Sequence, residues 1–393
     1  MTTHTTAPTR RQFGRGLFSL TTGIAMGGLF GCGGSEAADD DDDGPLAPLA
    51  QAQAVAVRPA VPGTMPDEGD PHKRTWMAFG ASASVWGDAL LPVARANLGL
   101  IARTIAQFEP VTMLVRSSEQ ALAARACGPE VDLLVSTMND LWMRDTGPVF
   151  VKDTSGARRG LNFNFNGWGG KQGYRQDRLV AAAVAKAAGV PLTATSLVLE
   201  GGGIEVDGHG TAIITESCVL NRNRNPGWTK AAVEAQLKTL LGLKTIIWLP
   251  GIAGKDITDG HTDFYARFAA PGVVVAHMDN DPASYDHAVT KRHLAILKTA
   301  RDARGQLLKV VVLNAPTNVR PGLASSDFAA GYVNFYVCND AVIAPQFGDA
   351  KADGDAKRIL MELFPTREVV QLNIDGIAAG GGGIHCTTQQ EPA

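Results

Sequence analysis

The 393-residue chain has few cysteines, few aromatic residues and no excess of basic charge. Its five cysteines are scattered and form no Cys-x-x-Cys pair, which argues against a zinc site or a disulfide framework. The formal net charge is -3, so the basic footprint of a nucleic-acid-binding protein is missing and no nucleic acid partner is expected. Hydrophobic residues make up 45% of the chain, which is enough for a large buried core.

The first 32 residues have the layout of an export signal. Arg10 and Arg11 precede a glycine-broken apolar stretch over residues 17–30, which resembles a twin-arginine signal and is too short to span a bilayer. The stretch ends at Cys32 in a sequence similar to a lipoprotein cleavage site. We therefore expect export by a twin-arginine route to a periplasmic or extracellular location. Membrane contact is expected only through the signal or a possible lipid anchor.

Residues 33–64 are predicted to be a solvated tether. Five consecutive aspartates at 39–43 repel one another, and the Ala/Pro-rich stretch after them cannot build a core. From residue 65 to 393 no glycine/serine linker interrupts the chain. We therefore expect one folded domain over residues 65–393.

Within that domain, short apolar runs alternate with amphipathic stretches, which predicts a mixed α/β protein. Predicted strands cover residues 111–115, 149–152, 161–165, 197–200, 212–215, 245–249, 273–277, 309–313, 333–337 and 341–344. Predicted helices cover residues 88–108, 176–188, 229–241, 284–300 and 355–363. The turn residues Asn339 and Asp340 predict a hairpin between the last two strands. Recurrence of the strand–helix unit suggests an internally repeated fold.

Polar residues cluster at the ends of the predicted strands. Asp145 is followed by Gly-Pro, and an aspartate at such a turn is usually a cap when taken alone. Glu200 precedes three glycines that complete no phosphate-binding motif and instead indicate close backbone approach beside a carboxylate. His261 and Asp263 lie two residues apart, a pair that suits general acid–base chemistry. The pair would also suit a metal site, but no further ligands recur at a fixed spacing.

Cys386 follows a run of four glycines near the C-terminus. A single cysteine in a long chain is most often a buried, inert thiol. The polar, glycine-rich setting favours a nucleophilic thiolate instead, because backbone and substrate can approach it closely.

Taken together and in chain order, these residues resemble the guanidine-modifying enzymes of the pentein superfamily, and within it the agmatine deiminase family. The resemblance extends from about residue 72 to the C-terminus and rests on residues 75–79, 142–148, 163–170, 199–202, 259–263, 332–336, 345–349 and 381–386. Two departures stand out. Gly383 occupies a position where such enzymes commonly have Asn, and residues 79–80 are Phe-Gly where Trp-Pro is common.

The resemblance implies a pentein-type α/β propeller, with about five pseudo-symmetric repeats of a strand/helix unit around a central active site. It assigns the catalytic chemistry to Cys386, His261, Asp145, Asp263 and Glu200. It assigns substrate binding to Trp142, Trp168, Asn334 and Gly383. No metal and no other cofactor is implied. The implied partner is a small cationic guanidino substrate, and a homo-oligomer is possible.

The implied reaction is hydrolysis of agmatine to N-carbamoylputrescine and ammonia. Cys386 would attack the guanidinium carbon, and the two aspartates would hold the planar cation. His261 would act as acid and then as base, while Glu200 would orient His261 or bind substrate. Three alternatives stay open: deimination of a peptide C-terminal arginine, non-catalytic binding of polyamine-like cations, and nucleotide binding at the glycine clusters. For the peptide reaction, Arg158, Arg159 and Arg175 are candidate clamps for a carboxylate.

Overall fold

The computed structural model describes residues 63–325 and 327–393. The predicted signal, Cys32 and all of the predicted tether before residue 63 lie outside the described residues. Among the residues that are described, no helix combines the length and the apolar character needed to cross a membrane.

Strands and helices alternate along the described chain. The strands are β1 His72–Ala78, β2 Val111–Val115, β3 Val131–Val135, β4 Val149–Lys152, β5 Arg158–Asn162, β6 Leu192–Ala194, β7 Ile204–Val206, β8 Thr211–Thr215, β9 Thr245–Leu249, β10 Ala266–Ala270, β11 Val273–Met278, β12 Lys309–Asn314, β13 Tyr336–Val337, β14 Ala341–Gln346, β15 Glu368–Asn373 and β16 Gln389–Pro392. The helices are α1 Ala83–Ile105, α2 Gln120–Cys127, α3 Met143–Thr146, α4 Gly167–Gly170, α5 Val180–Ala188, α6 Glu216–Val219, α7 Lys230–Leu241, α8 Tyr285–Thr299, α9 Ala350–Leu363 and α10 Asp375–Ala379.

Over the described ranges the strands form five small sheets that share one plan. In each sheet an antiparallel pair is followed by a helix and then by a strand that pairs in parallel with the second strand. The fifth sheet is completed by the two ends of the domain, because β16 pairs antiparallel with β1 and β1 pairs parallel with β2. The fivefold α/β repeat that the resemblance implied is therefore present.

Helix boundaries follow local capping chemistry. Thr229, Ser284 and Asp349 each precede a long helix and accept a hydrogen bond from a backbone N–H of its first turn. Gly189 and Gly242 end α5 and α7 in the left-handed conformation, with φ of 68° and 71°. These caps explain why the predicted bounds of α7 and α8 lie within one residue of the observed ones.

Three strand predictions need correction, and one of them, residues 333–337, is a strand only over Tyr336–Val337. Residues 197–200 form no strand, because the backbone there is irregular. The third strand of the sheet that contains β4 and β5 is instead β6. The strand predicted at 161–165 instead spans Arg158–Asn162, because its register is set by pairing with β4. The predicted hairpin at Asn339 and Asp340 is confirmed, with β13 and β14 paired antiparallel across it.

Candidate active site

Equivalent positions in the five repeats supply the predicted site residues. Asp145 lies in α3, just before β4, and Glu200 lies just before β7. His261 and Asp263 lie just before β10, Asn334 just before β13, and Cys386 in a helical turn just before β16. Each residue therefore lies in the segment that leads into the first strand of the antiparallel pair in its sheet. This shared position is why residues far apart in sequence can meet.

The Cys386 thiol is buried between Asp263 and Asn334. Its Sγ lies 3.6 Å from Asp263 Oδ2, and Asn334 Nδ2 donates to Sγ at 3.4 Å. Asn334 Oδ1 also accepts from the backbone N–H of Cys386, which fixes the helical turn. Burial, followed by the negative charges of Asp263 and Asp145, raises the pKa of Cys386 well above its usual value. The thiol form is therefore favoured without a bound cation.

Asp263 has one oxygen held and one oxygen unpaired. Oδ2 accepts from His385 Nδ1 at 2.8 Å, whereas Oδ1 is buried and has no hydrogen-bond partner. Burial raises the pKa of Asp263, but the hydrogen bond and charge of His385 outweigh it and lower this pKa to about 2. A buried, ionised oxygen without a donor is costly unless a donor arrives.

Asp145 is fixed by two donors from other segments. Its Oδ2 accepts from the Trp168 indole N–H at 2.9 Å, and its Oδ1 accepts from Gly202 N at 3.1 Å. Trp168 has a φ of 55°, a left-handed conformation that turns its side chain toward the site. Burial raises the pKa of Asp145 to about 6, an effect that His261 partly offsets and Asp263 reinforces.

His261 lies between two carboxylates. Its Nε2 is 3.2 Å from Glu200 Oε2, and its Nδ1 is 3.7 Å from Asp145 Oδ1. Burial lowers the pKa of His261, but Asp145 and Glu200 outweigh it and raise this pKa well above its usual value. The imidazole is therefore protonated at neutral pH, as an acid catalyst requires.

Gly202 marks the point that these groups surround. A Cβ placed on Gly202 would lie 2.6 Å from His261 Nδ1, 2.9 Å from Asp145 Oδ1 and 3.1 Å from Asp263 Oδ2. The missing side chain therefore leaves room for three polar groups to approach one another. The close backbone approach that the glycine triplet after Glu200 indicated is thus seen at Gly202.

Trp142 supports the loop that carries the thiol. Its indole N–H donates to Asp140 Oδ2 at 3.0 Å, and its ring stacks on Trp86. A Cβ on Gly382 would overlap the Trp142 ring, and one on Gly383 would overlap the Asn334 amide. Gly383 and Asn334 thus lie at the site as predicted, and the glycine run is needed for close packing against these side chains.

Among the described residues, one cluster has ligand atoms at metal-like spacing. Those of Glu200, Cys218 and His261 all lie within 4.8 Å of one another. Arg224 Nε lies 3.0 Å from both oxygens of Glu200. Burial alone would raise the pKa of Glu200, but the positive charge of Arg224 outweighs this effect and lowers the pKa to about 2. A divalent ion would face the guanidinium of Arg224 at close range. We therefore assign Glu200 to orienting His261, with its charge balanced by Arg224.

Sequence reasoning missed several charged residues around the site. Glu68, His385, Arg144 and Arg267 form a buried network behind Asp263, and Arg224 lies behind Glu200. His385 could have been suspected because it adjoins Cys386. Arg144 adjoins Asp145 within the 142–148 segment, but nothing there indicated its partners. Glu68, Arg267 and Arg224 carried no local signal, since their partners lie far away in sequence.

Known proteins resemble this chain over nearly all of the described domain. Residues 64–392 match the family described as Porphyromonas-type peptidyl-arginine deiminase. The agmatine deiminase of Stutzerimonas stutzeri is 41% identical over 353 residues, covering 84% of this chain and 95% of that protein. The agmatine deiminase of Medicago truncatula is 36% identical, covering 84% of this chain and 96% of that protein.

A solved structure shows the same arrangement of the backbone. The agmatine deiminase of Enterococcus faecalis superimposes with a TM-score of 0.79 at 34% identity, covering 84% of this chain and 96% of that one. The alignments thus span nearly all of each relative.

Proposed function

Because the chain belongs to the family of Porphyromonas-type peptidyl-arginine deiminases, we propose that it is an amidine hydrolase that converts agmatine and water to N-carbamoylputrescine and ammonia. The observation that carries this proposal is the buried, unpaired Oδ1 of Asp263, on the same carboxylate whose Oδ2 is 3.6 Å from the Cys386 thiol. Such a site lacks a cationic donor, and a guanidinium supplies one. The agmatine deiminases that the chain resembles support the choice of substrate.

A guanidinium is planar and presents its N–H donors in one plane, so it is best held by carboxylates. Asp263 Oδ1 would accept one of these donors, and Asp145 would accept others through its remaining lone pairs. The bound cation offsets the two negative charges that raise the pKa of Cys386. Substrate binding would therefore favour the thiolate that attacks it.

In the first half-reaction the Cys386 thiolate adds to the guanidinium carbon and forms a carbon–sulfur bond. The tetrahedral intermediate collapses as a carbon–nitrogen bond breaks, and the leaving nitrogen takes a proton from His261 to depart as ammonia. Glu200 holds His261 through Nε2, which leaves Nδ1 on the side of Asp145. The product of this step is a covalent thiouronium on Cys386.

In the second half-reaction water takes the place vacated by ammonia. His261, now neutral, accepts a proton from this water as it adds to the thiouronium carbon. As the carbon–sulfur bond breaks, the remaining hydroxyl proton of the intermediate passes to the Asp263 carboxylate, which is 3.6 Å from the sulfur. The neutral ureido product is released, the thiolate is freed, and this proton can return to the sulfur. The side chains already described provide every proton acceptor and donor in this sequence.

Turnover with product identification tests the proposal. We expect equal amounts of ammonia and N-carbamoylputrescine from agmatine, and a covalent adduct on Cys386 in acid-quenched samples by mass spectrometry. Cys386→Ala should abolish both, whereas Cys338→Ala, a change at another buried cysteine, should not. Absence of agmatine turnover by the wild-type protein would refute the proposal. Retention of the biological role by Cys386→Ala would favour a cation-binding protein instead.

A peptide substrate needs a cationic group for its terminal carboxylate. Arg158 is poorly available for this role, because its guanidinium pairs with the buried Glu391. Arg175 is exposed and offers no preformed clamp. We therefore expect agmatine to be turned over in strong preference to a peptide ending in arginine, and parallel assays of the two substrates would show this.

We also propose that the protein is exported through a twin-arginine route. The support is the order of paired arginines, apolar stretch and Cys32 in residues 1–32. Replacing Arg10 and Arg11 by lysine should leave the full chain in the cytosolic fraction, and unchanged export would contradict the proposal. Cys32→Ser should release the protein from membranes if Cys32 carries a lipid.

A further inference from the structure

A line of three buried side chains connects the thiol region to the N-terminal end of the domain. His385 Nδ1 lies 2.8 Å from Asp263 Oδ2, and His385 Nε2 lies 2.9 Å from Glu68 Oε2. The His385 side chain is 1% exposed, so water cannot replace these partners. Both ring nitrogens of one histidine therefore face carboxylate oxygens from opposite sides.

Glu68 is itself rigidly held. Its Oε1 accepts from Arg267 Nη2 at 2.7 Å and from Val337 N at 2.9 Å, while its Oε2 accepts from Arg144 Nη2 at 3.0 Å. Arg144 also donates to the backbone carbonyl of His385 at 3.3 Å. The Glu68 side chain is thus fixed at the far end of the line, and the backbone of the middle residue, His385, is held by the same arginine.

Asp263 forms the other end of the line, and two neighbouring groups compete for one of its oxygens. Asp263 Oδ2 contacts both His385 Nδ1 and Cys386 Sγ, whereas Oδ1 has no partner. Without the hydrogen bond from His385, the thiol would be the only partner of Oδ2 among the described residues, and the carboxylate could rotate about its Cβ–Cγ bond. That rotation would take Oδ1 away from the position in which it can receive a substrate N–H.

We propose that His385 and Glu68 act as a positioning pair that fixes the Asp263 carboxylate, with Oδ2 bound to His385 and Oδ1 directed at the substrate. His385 needs only a proton on Nδ1 for this, which both the charged ring and one neutral tautomer provide. The inference rests on the proposed function, because it takes Asp263 to bind the guanidinium. It assigns His385 a role separate from that of His261, which exchanges protons with the reacting groups.

Two amide variants separate the two ends of His385. In His385→Asn the side-chain amide reaches about as far as Nδ1 and can donate to Asp263. In His385→Gln it reaches about as far as Nε2, toward Glu68, and leaves Asp263 Oδ2 without its donor. We expect kcat/KM for agmatine within about 5-fold of wild type for the Asn variant. We expect a loss of about 100-fold for the Gln variant, mainly in kcat, because misplacing a substrate-holding group by about 1 Å has that effect.

A matched control isolates positioning from folding. His72 is another buried histidine that pairs with a carboxylate, Glu109, but contacts none of the site residues. His72→Gln should lower the thermal unfolding midpoint without changing kcat/KM by more than about 2-fold. Equal activity of the Asn and Gln variants of His385, each folded by circular dichroism, would overturn the inference while leaving the proposed function intact.

Labelling of Cys386 gives a readout that needs no turnover. Freed from His385, the Asp263 carboxylate would favour the protonated thiol, so His385→Gln should react with iodoacetamide at least about 3-fold more slowly than the wild type or His385→Asn. Equal labelling rates of all three proteins would overturn the positioning role even if agmatine is not the substrate. A wild-type enzyme that fails to turn over agmatine would overturn only the proposed function.

Discussion

The negative charge beside the thiol can be removed by one isosteric change, Asp263→Asn. Asp263 Oδ2 lies 3.6 Å from Cys386 Sγ. At an effective dielectric constant of about 20, two unit charges at this distance repel by about 4–5 kcal/mol. His385 already offsets part of that charge, so this figure is an upper bound. Removing the charge should therefore lower the pKa of Cys386.

The expected effect on alkylation is smaller than the pKa change. A thiolate of lower pKa is more abundant but less nucleophilic, with a Brønsted coefficient of about 0.5. The rate of Cys386 labelling by iodoacetamide at pH 7 should therefore rise by about 3- to 30-fold in Asp263→Asn. Agmatine turnover should be lost in the same variant, because a neutral amide cannot replace a carboxylate for a cation. Nucleophile reactivity and enzyme activity would then change in opposite directions.

Peptide mapping by mass spectrometry separates Cys386 from the other cysteines in this assay. Asp207→Asn is the matched control, since Asp207 is equally buried but only accepts hydrogen bonds from the backbone of its own turn. Its labelling rate should equal that of the wild type. Labelling of Asp263→Asn at or below the wild-type rate would refute the electrostatic reasoning. So would a wild-type Cys386 that reacts as fast as a thiol in an unfolded peptide.

Three further predictions follow from other parts of the structure. Burial raises the pKa of Asp145 to about 6, so this carboxylate becomes protonated and loses its hold on the cation below about pH 6. The slope of log kcat/KM against pH should therefore steepen by one unit below about pH 6, and an unchanged slope through that pH would contradict this. Gly382→Ala should reduce kcat/KM by about 10-fold or more in steady-state assays, because the new methyl group overlaps the Trp142 ring, whereas Gly354→Ala in an open position of α9 should be silent. Burial raises the pKa of Asp177 to about 7, so the stability that this carboxyl contributes is complete below its unfolded pKa of about 3.9 and is lost as the pH rises through about 7. In urea unfolding, Asp177→Asn should therefore be more stable than the wild type by up to about 4 kcal/mol at pH 8 and equal to it at pH 4. A stability difference that is the same at both pH values would contradict this.

The strands that the sequence predicted best are rich in apolar residues. Val111–Val115 and Thr245–Leu249 were predicted with their observed bounds, because each is a continuous apolar run that pairs in parallel with a neighbour. The strand Gln389–Pro392 was missed although every residue in it is buried. Its burial is polar: Glu391 accepts from the Trp76 indole and pairs with Arg158. Hydrophobic patterning cannot detect a strand of this kind.

The site shows the same division between local and distant information. Cys386, His261 and Asp263 were recognisable because each lies in a short motif whose residues act together. The contact between Glu68 and His385 joins residues 317 positions apart, and nothing near Glu68 in the chain marks it. Such partners become visible only once the first and last strands of the domain have paired.

In the proposed reaction, substrate recognition and activation of the nucleophile depend on the same charges. Asp145 and Asp263 keep the Cys386 thiol protonated when no cation is bound, which protects it from oxidants and alkylating agents. A bound guanidinium would offset this effect, because its positive charge would lie close to both carboxylates and the sulfur. The ureido product is neutral and cannot do so. Its formation therefore removes the charge that stabilised the thiolate, and the thiol can regain its proton as the product leaves.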